Sequence, residues 1–376
     1  MAGFSMSEAL SPKPARRELI DRRLLNGALW AGIIVTALVV LRDGKDFFIP
    51  LLIALIAVYL VTVLSRLARR IRIAGHQLPV ALTMIFSFAV IFGLGYAIFE
   101  IVAVNALKVA DQAPHYQARL IQLQERIFDS LQIDEPDAAQ QFVRSFDLRT
   151  LFTTVGTTLL NILGRVSLVL LYSLFLLLEL RFLQRKLDSL FPNPARRAVV
   201  LDILHRIDRD IHTYLAVKTA ISVITAVISY AIMRAVNLSF AEFWALLIFI
   251  LNYIPTIGSL IATILPTLLA LVEFPDNLTP FLVVGLGITG VQQLMGTIIE
   301  PNLMGQTLNL SPLVVFVSLI LWGYIWGIVG MFICVPITVI LVIILSNFDS
   351  TRWVSILLSK TGKIRGPKQN GSESKD

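Results

Sequence analysis

Charged residues and cysteine are scarce in this sequence. Only 15% of its 376 residues are charged and 56% are hydrophobic, which gives a mean hydropathy of +0.78. Soluble domains carry roughly 25% charged residues, so this composition excludes a soluble domain. The single cysteine, Cys334, permits neither an internal disulfide bond nor a cysteine metal cluster.

Motifs of ATP-driven and metal-dependent enzymes are also missing. The sequence has no Gly-x-x-x-x-Gly-Lys-Ser/Thr loop to hold phosphates and no His-Glu-x-x-His pair to hold zinc. An enzyme within the membrane would need a nucleophile and a base at membrane depth, whereas each histidine falls in a predicted loop or interfacial helix. These histidines are His76, His115, His205 and His212. We therefore expect no enzymatic activity, no cofactor and no metal site.

Long apolar runs account for the low charge. Residues 24–41 and 47–64 are two runs without a charged side chain, and about 18 such residues mark a candidate membrane span. Backbone amides in lipid have no water to bond, so the spans must be helical. The sequence predicts an all-α, polytopic helical membrane protein with about seven to eight spans, including broken or re-entrant helices in the C-terminal half.

Polar segments divide the predicted spans. Three spans fall in residues 24–107, a fourth in 151–180, and a C-terminal region of interrupted helices in 214–347. The spacing of apolar residues predicts amphipathic helices in the two segments between them, 108–150 and 181–213.

Lysine and arginine set the predicted orientation, because cytoplasmic loops of membrane proteins are enriched in both. Residues 181–213 hold seven of them, the N-terminal tail 1–23 holds five and the C-terminal tail 348–376 holds six. The slightly acidic segment 108–150 holds five. We predict that both termini and the 181–213 helices are cytoplasmic, that 108–150 lies outside, and that the end of the C-terminal tail is disordered. The net charge of +7 then indicates a lipid bilayer as partner rather than nucleic acid.

Between residues 243 and 272 the pattern departs from a simple span. Two short apolar runs flank Pro255 and Gly258, and the second run contains Pro266. Each run is shorter than the about 20 residues that a span needs, and proline removes a helical hydrogen bond. The pattern favours a re-entrant hairpin or a broken helix, which survives at membrane depth only when buried in protein or lining a wet cavity. A proline-kinked ordinary span is the alternative.

A longer uncharged stretch follows the apolar run 281–299. No charged residue occurs from Pro301 to Asn347, which is too long for one helix across ~30 Å of hydrocarbon at about 1.5 Å per residue. We expect a tight helical hairpin or a broken pair of helices. The candidate positions for bending or close packing are Pro301, Gly305, Gly323, Gly327, Gly330 and Pro336.

The few polar side chains in these apolar segments are the candidates for a substrate or ion path. Glu300 stands out, because an ionisable group in the membrane costs roughly 2.5–3.5 kcal/mol on insertion scales. It could bind a cation, carry a proton or hold the region around Asn302 in place. Gln292 and Gln293 either line a polar path with it or form interhelical hydrogen bonds. Asn252 is expected to bond the carbonyl freed by the neighbouring proline, or a substrate hydroxyl.

Two cationic side chains also fall within or near predicted spans. Lys218 is expected to extend its ammonium group toward the cytoplasm. Arg165 lies deeper in the fourth span, so we expect it to pair with a carboxylate on another helix.

The C-terminal motifs resemble those of a known family. The motifs are Glu-Pro-Asn-Leu-Met-Gly-Gln-Thr-Leu-Asn-Leu-Ser-Pro-Leu-Val-Val at residues 300–315 and Trp-Gly-Tyr-Ile-Trp-Gly-Ile-Val-Gly at residues 322–330. Both are similar to segments of the autoinducer-2 exporter family of bacterial membrane proteins. Residues 252–258 are similar to the Pro-x-x-Gly segment of that family, and the resemblance covers most of the chain.

The resemblance implies a secondary transporter of the bacterial inner membrane that exports a small polar molecule such as autoinducer-2, with proton or sodium coupling. The C-terminal region 214–347 is then its transport region. The resemblance also implies a homo-oligomer, with a pentamer as the expected form. Two further interpretations stay open, since family alone does not fix function. One is exchange of sodium or lithium for protons, and the other is an oligomeric membrane scaffold without transport.

Overall fold

Nearly all of the described chain is α-helical. The computed structural model describes residues 15–70, 72–73, 76–131, 148–180, 182–304 and 309–362. Helix α1 (Ala15–Asp43) contains the predicted first span, and only Gly44 separates it from α2 (Lys45–Ala68). The chain divides into two units, one up to Phe48 and one from Ile49 onward.

The rest of the N-terminal half begins with two short antiparallel strands, β1 (Arg72–Ile73) and β2 (His76–Gln77). The helices that follow are α3 (Val80–Leu131), α4 (Leu148–Gly164), α5 (Val166–Leu180) and α6 (Leu183–Leu190).

Helix α3 joins the predicted third span to the segment that was expected to be a separate insert. Buried Ala106, Ala110, Ala113 and Tyr116 continue one face across the boundary at helical spacing. Pro114 lies within the helix without ending it, because the packed face outweighs the one backbone bond that proline removes. The remainder of the predicted insert, residues 132–147, lies outside the described residues.

The predicted fourth span, 151–180, consists of two helices rather than one. Helices α4 and α5 meet at Arg165, which is exposed. Placing this cation at a helix break keeps it out of the packed interior, where an unpaired charge is costly.

Helix α7 (Pro194–Ala235) unites the predicted basic segment with the fifth span. The side chain of Asn193 caps its start by accepting hydrogen bonds from the backbone nitrogens of Ala195 (2.9 Å) and Arg196 (3.4 Å). Proline at the first helical position suits such a start. No glycine or proline follows before residue 236, so the chain has no local reason to end the helix where the charge pattern changes.

The predicted class, a polytopic helical membrane protein, is confirmed. Five helical segments among the described residues are long and apolar enough to cross a membrane, or six if the pair α5 and α6, bent by 60°, is one span. The five segments are Lys45–Ala68, Val80–Gln122, Pro194–Ala235, Leu278–Met304 and Pro312–Ser346. The predicted count of seven to eight spans included broken and re-entrant helices. Two such interrupted segments lie among the described residues of the C-terminal half.

The first such piece is a hairpin formed by α8 (Ala241–Leu251) and α9 (Ile257–Glu273), called here the first hairpin. At its open end Ser239 donates hydrogen bonds to the Glu273 carboxylate, from Oγ to Oε1 at 2.6 Å and from its backbone nitrogen to Oε2 at 3.1 Å. The start and the end of this segment therefore lie next to each other. That is the arrangement of a re-entrant hairpin and not of a single kinked span. Helix α9 continues through Pro266, so the break lies at residues 252–256 alone.

The next segment is one continuous rod. It comprises α10 (Leu278–Gln293), a π-helix (Leu294–Ile299) and α11 (Glu300–Met304). A π-helix is rare and is often found at functional sites, and this one ends directly before Glu300.

Helix α12 (Pro312–Ser346) folds back on itself at Gly327, whose φ of 63° and ψ of −142° are not helical. Residues eight apart in a straight helix lie about 12 Å apart. Here a Cβ on Gly330 would stand 1.9 Å from the carbonyl oxygen of Trp322. The two arms, 312–326 and 328–346, therefore form a second hairpin, as the glycine pattern predicted.

The C-terminal segment after residue 347 begins with an ordered helix, α13 (Arg352–Leu358). Ser355 Oγ donates a hydrogen bond to the carbonyl oxygen of Val342 at 3.1 Å. The backbone nitrogen of Ser311 donates one to the carbonyl oxygen of Leu358, also at 3.1 Å. Helix α13 thus ties together both ends of the second hairpin, which a free tail would not do. Residues 363–376 lie outside the described residues.

The first hairpin is held by the main apolar core. Phe243 and Trp244 on α8 are almost fully buried, and Phe152 of α4 meets Trp244 edge to face at 5.8 Å. Burying large aromatic side chains supplies much of the stabilisation of such a core. The arms of the hairpin are therefore packed against α3 and α4.

Candidate functional site

A polar cavity of about 410 Å³ lies where the tip of the first hairpin meets α7, the π-helix and the second hairpin. Its lining combines amides, hydroxyls and one pair of opposite charges with a few apolar side chains. The polar lining residues are Tyr214, Lys218, Asn252, Thr256, Ser259, Gln292, Gln293, Thr297 and Glu300.

The tip of the first hairpin is a strained turn. Thr256, which lines the cavity, has a φ of 61° and a ψ of −58°, and the backbone nitrogen of Ile257 donates to the carbonyl oxygen of Pro255 at 2.6 Å. This is a γ-turn of the rare, positive-φ kind. A β-branched residue is an outlier in that conformation, and such strain is concentrated at functional sites.

Tyr253 joins this tip to its neighbours. Its ring stacks on Phe332 of the second hairpin, with centroids 4.8 Å apart, and its hydroxyl is hydrogen-bonded to the Thr219 hydroxyl of α7 at 2.7 Å. These contacts hold the first hairpin tip against both the second hairpin and α7.

The charged pair in the cavity is Lys218 and Glu300. Lys218 Nζ donates to both carboxylate oxygens of Glu300 at 2.8 Å, and Lys218 is 6% exposed. The Lys218 ammonium group is therefore held inside the protein by a partner whose opposite charge offsets part of the cost of burying it. Whether the side chain points toward the cytoplasm stays a prediction. Lys218 and Glu300 are the only charged residues among the described lining residues, so the charges of the cavity cancel.

The rod of α10, the π-helix and α11 supplies one wall of the cavity. It presents Gln292, Gln293 and Glu300, the polar residues that stood out in the sequence of this segment, together with Gly296 and Thr297. Gln293 Oε1 accepts a hydrogen bond from Thr297 Oγ1 at 3.0 Å on the same helix.

Two buried polar atoms in the cavity lack partners. Gln292 is 9% exposed and Tyr214 is 3% exposed, yet neither Gln292 Nε2 nor Tyr214 Oη has a hydrogen-bond partner among the described residues. Buried polar groups are almost always hydrogen-bonded, so each atom is a candidate to bind a partner that the described residues do not supply.

Asn252 lines the cavity from the end of α8 but does not cap the proline break with its side chain. Its Nδ2 donates to Ser222 Oγ of α7 at 3.1 Å, and both side chains are buried. The amide therefore fixes the first hairpin to α7, which corrects the expected bond to a neighbouring carbonyl.

Several predicted positions lie away from the cavity. Asn302 and Pro301 are exposed on α11, and neither lines it. Pro336 is buried within α12, which continues through it. Gly323 lies against the flexible side chain of Met331, and Gly305 lies outside the described residues.

The sequence did not predict that Lys218 and Tyr214 line the cavity. The one hint for Lys218 was that it is a single lysine in an otherwise apolar run. Its partner lies 82 residues away on another helix, and no local pattern reports such a pairing.

The arrangement defines a class of protein. Many membrane transporters bind their substrates where interrupted helices meet within the membrane, and here two helical hairpins meet around a polar, internally charge-balanced cavity. Bound molecules in such cavities are recognised by a few polar groups in mostly apolar surroundings.

Comparison with known proteins agrees with this class. The model of the AI-2E family transporter family matches residues 28–349. The AI-2 transport protein TqsA of Escherichia coli (strain K12) is 32% identical over 349 residues, covering 90% of this chain and 98% of the relative. The putative transport protein YhhT of the same organism is 30% identical over 331 residues, covering 86% and 91%. A putative transport protein of Borreliella burgdorferi is 30% identical over 247 residues, covering 66% and 68%.

This chain therefore belongs to the AI-2E family transporter family, and the family resemblance of its C-terminal motifs is confirmed. It is a multi-pass membrane transporter.

Proposed function

We propose that this transporter exports a small, uncharged molecule of the autoinducer-2 type from the bacterial cytoplasm, coupled to protons, with the cavity as its binding site. The E. coli relative named as an AI-2 transport protein supports the substrate class. The cavity volume of about 410 Å³ falls within the range of small-molecule sites.

The unpartnered amide of Gln292 beside the paired charges carries this proposal. Because Lys218 neutralises Glu300 at 2.8 Å, the cavity offers hydrogen bonds without net charge. A charged substrate would remain unbalanced there, at high cost in surroundings of low polarity. An uncharged oxygen-rich molecule can instead accept a hydrogen bond from Gln292 Nε2.

The ion pair also supports coupling to protons. Protonation of Glu300 would neutralise its carboxylate and leave the Lys218 ammonium without its partner. Glu300 can therefore either carry a proton or pair with Lys218, but not both at once. A proton can thus shift the protein between two states of the same cavity. A sodium ion at Glu300 would have to displace an ammonium group that already contacts both carboxylate oxygens.

Replacing Gln292 with leucine, which is close in size, is expected to weaken substrate binding. Losing one hydrogen bond of about 0.5–1.5 kcal/mol raises the half-saturating concentration of autoinducer-2 by about 2- to 12-fold. The measurement is flux of labelled autoinducer-2 in vesicles containing the purified protein, with an imposed pH gradient. Thr289→Val, on the same helix but outside the cavity lining, is the matched control and should transport as the parent does.

The same vesicles separate the competing functions. Flux that follows a sodium gradient and ignores a pH gradient would favour exchange of sodium or lithium for protons. Absence of both autoinducer-2 and cation flux in a folded parent protein would favour a scaffold without transport, and either result rejects the proposal.

A further inference from the structure

Helix α7 and the rod pass the cavity in opposite directions. Lys218 of α7 pairs with Glu300, which lies near the end of the rod. Further along α7, the side chain of Ile232 lies 3.1 Å from the position that a Cβ on Gly287 would take, nearer the start of the rod. Contacts that advance along one helix and go back along the other define an antiparallel pair. Sequence positions on the two helices therefore give the order of the lining residues along the cavity.

The two unpartnered polar groups of the cavity lie on opposite sides of the ion pair. Tyr214 precedes Lys218 by four residues, about one helical turn. Gln292 precedes Glu300 by eight residues, about two turns. Because the helices are antiparallel, these offsets add up to about three turns, on the order of 16 Å along the helix axes. A small molecule of the autoinducer-2 type is too short to bond both groups at once.

Tyr214 lies among apolar side chains that also line the cavity. Met304 follows Glu300 by about one turn, which is on the side of the ion pair where Tyr214 lies. Val335 directly follows Cys334, whose thiol interacts electrostatically with Tyr214. A polar group in mostly apolar surroundings is typical of a small-molecule site. The Tyr214 hydroxyl has no hydrogen-bond partner among the described residues and can donate to an oxygen of a bound molecule.

We propose that the cavity contains two substrate-binding subsites, one at Tyr214 on the cytoplasmic side of the ion pair and one at Gln292 beyond it, an inference that rests on the proposed function. The basic half of α7 precedes Tyr214, and its charge predicts a cytoplasmic location. An exported molecule binds first at the Tyr214 subsite, where the hydroxyl donates to one of its oxygens. It passes to the Gln292 subsite when protonation of Glu300 opens the ion pair.

Equilibrium dialysis of labelled autoinducer-2 against the full-length protein in detergent tests the proposal. The parent is expected to bind two molecules per subunit. Tyr214→Phe should raise the dissociation constant of one molecule about 2- to 12-fold, for the loss of one hydrogen bond, and leave that of the other unchanged. Gln292→Leu should weaken only the other molecule. In the double variant each constant should change as in the corresponding single variant, because distant sites act independently.

Tyr230→Phe is the matched control on the same helix. The Tyr230 hydroxyl donates to Glu242 Oε1 at 3.1 Å, and Tyr230 lies outside the cavity lining, so both dissociation constants should match the parent. A second measurement is the unfolding temperature without substrate. Tyr214→Phe should unfold at the parental temperature or above, because the hydroxyl that it removes has no hydrogen bond to lose among the described residues.

A single bound molecule per subunit in the parent overturns the second subsite and leaves the proposed function standing. Two molecules with unchanged dissociation constants in Tyr214→Phe have the same consequence for the Tyr214 subsite. A lower unfolding temperature of substrate-free Tyr214→Phe assigns the hydroxyl to a bond within the protein and also overturns it. Absence of both binding and flux of autoinducer-2 in the folded parent rejects the proposed function and the two subsites together.

Discussion

Glu300→Gln is expected to destabilise the protein strongly, because it leaves the buried Lys218 ammonium without a partner. Removing one member of a buried ion pair costs about 3–5 kcal/mol. Replacing both members with uncharged side chains of similar size, in the double variant Lys218→Met with Glu300→Gln, is expected to restore most of that stability. Because the double variant has lost the carboxylate that is proposed to take up the proton, its flux should no longer respond to a pH gradient.

Thermal unfolding in detergent and flux across a series of imposed pH gradients measure the two effects separately. Lys186→Met is the matched control, since the Lys186–Glu179 pair has more than half of each side chain exposed and exposed pairs contribute only about 0–1 kcal/mol. A Glu300→Gln protein that is as stable as the parent and equally responsive to pH would show that the ion pair has neither role.

Gly258→Ala and Gly330→Ala are expected to abolish transport, because each places a methyl group on a backbone carbonyl. The added Cβ would stand 1.8 Å from the Leu251 oxygen in the first hairpin and 1.9 Å from the Trp322 oxygen in the second. Overpacking costs typically about 1–3 kcal/mol even where side chains can move, and here the obstacle is backbone. In each variant the tip of the hairpin must therefore open to make room for the methyl group.

Gly290→Ala provides the comparison, since a Cβ on Gly290 would meet nothing within 4 Å. Exchange of autoinducer-2 and the unfolding temperature should both match the parent in this variant. Parental exchange in Gly258→Ala or Gly330→Ala would show that the hairpins are not packed as described.

The hairpins were predictable because their causes are local. Pro255 fixes its own φ and removes a hydrogen-bond donor, whereas Gly258 allows close backbone approach and Gly327 allows a positive φ. Short apolar runs around them leave few alternatives. Helix boundaries were less predictable. The change from basic to apolar residues near Tyr214 indicates where lipid replaces water, but α7 continues through it.

The contents of the cavity were only partly predictable. Gln292, Gln293, Asn252 and Glu300 were identified because polar groups in apolar runs are costly, and all four line the cavity. Asn302 was included because it is near Glu300 in sequence, yet the helix turns it outward.

The bond from Asn252 to Ser222 joins residues 30 positions apart on different helices. Such pairings depend on how helices pack, and the periodicity of a single helix does not contain that information. The π-helix before Glu300 likewise has no recognisable local signal in its sequence.

Alkylation of a cysteine at position 296 tests most directly whether substrate passes through the cavity. Gly296 lines the cavity, and a Cβ there would meet nothing within 4 Å, so Gly296→Cys should fold and transport. Alkylation should then abolish autoinducer-2 flux, and excess autoinducer-2 should slow the alkylation. Ser189→Cys, on the exposed surface of α6, should be alkylated without loss of flux, and the native Cys334 is fully buried. Parental flux through the alkylated Gly296→Cys protein would contradict the assignment of this cavity as the transport site.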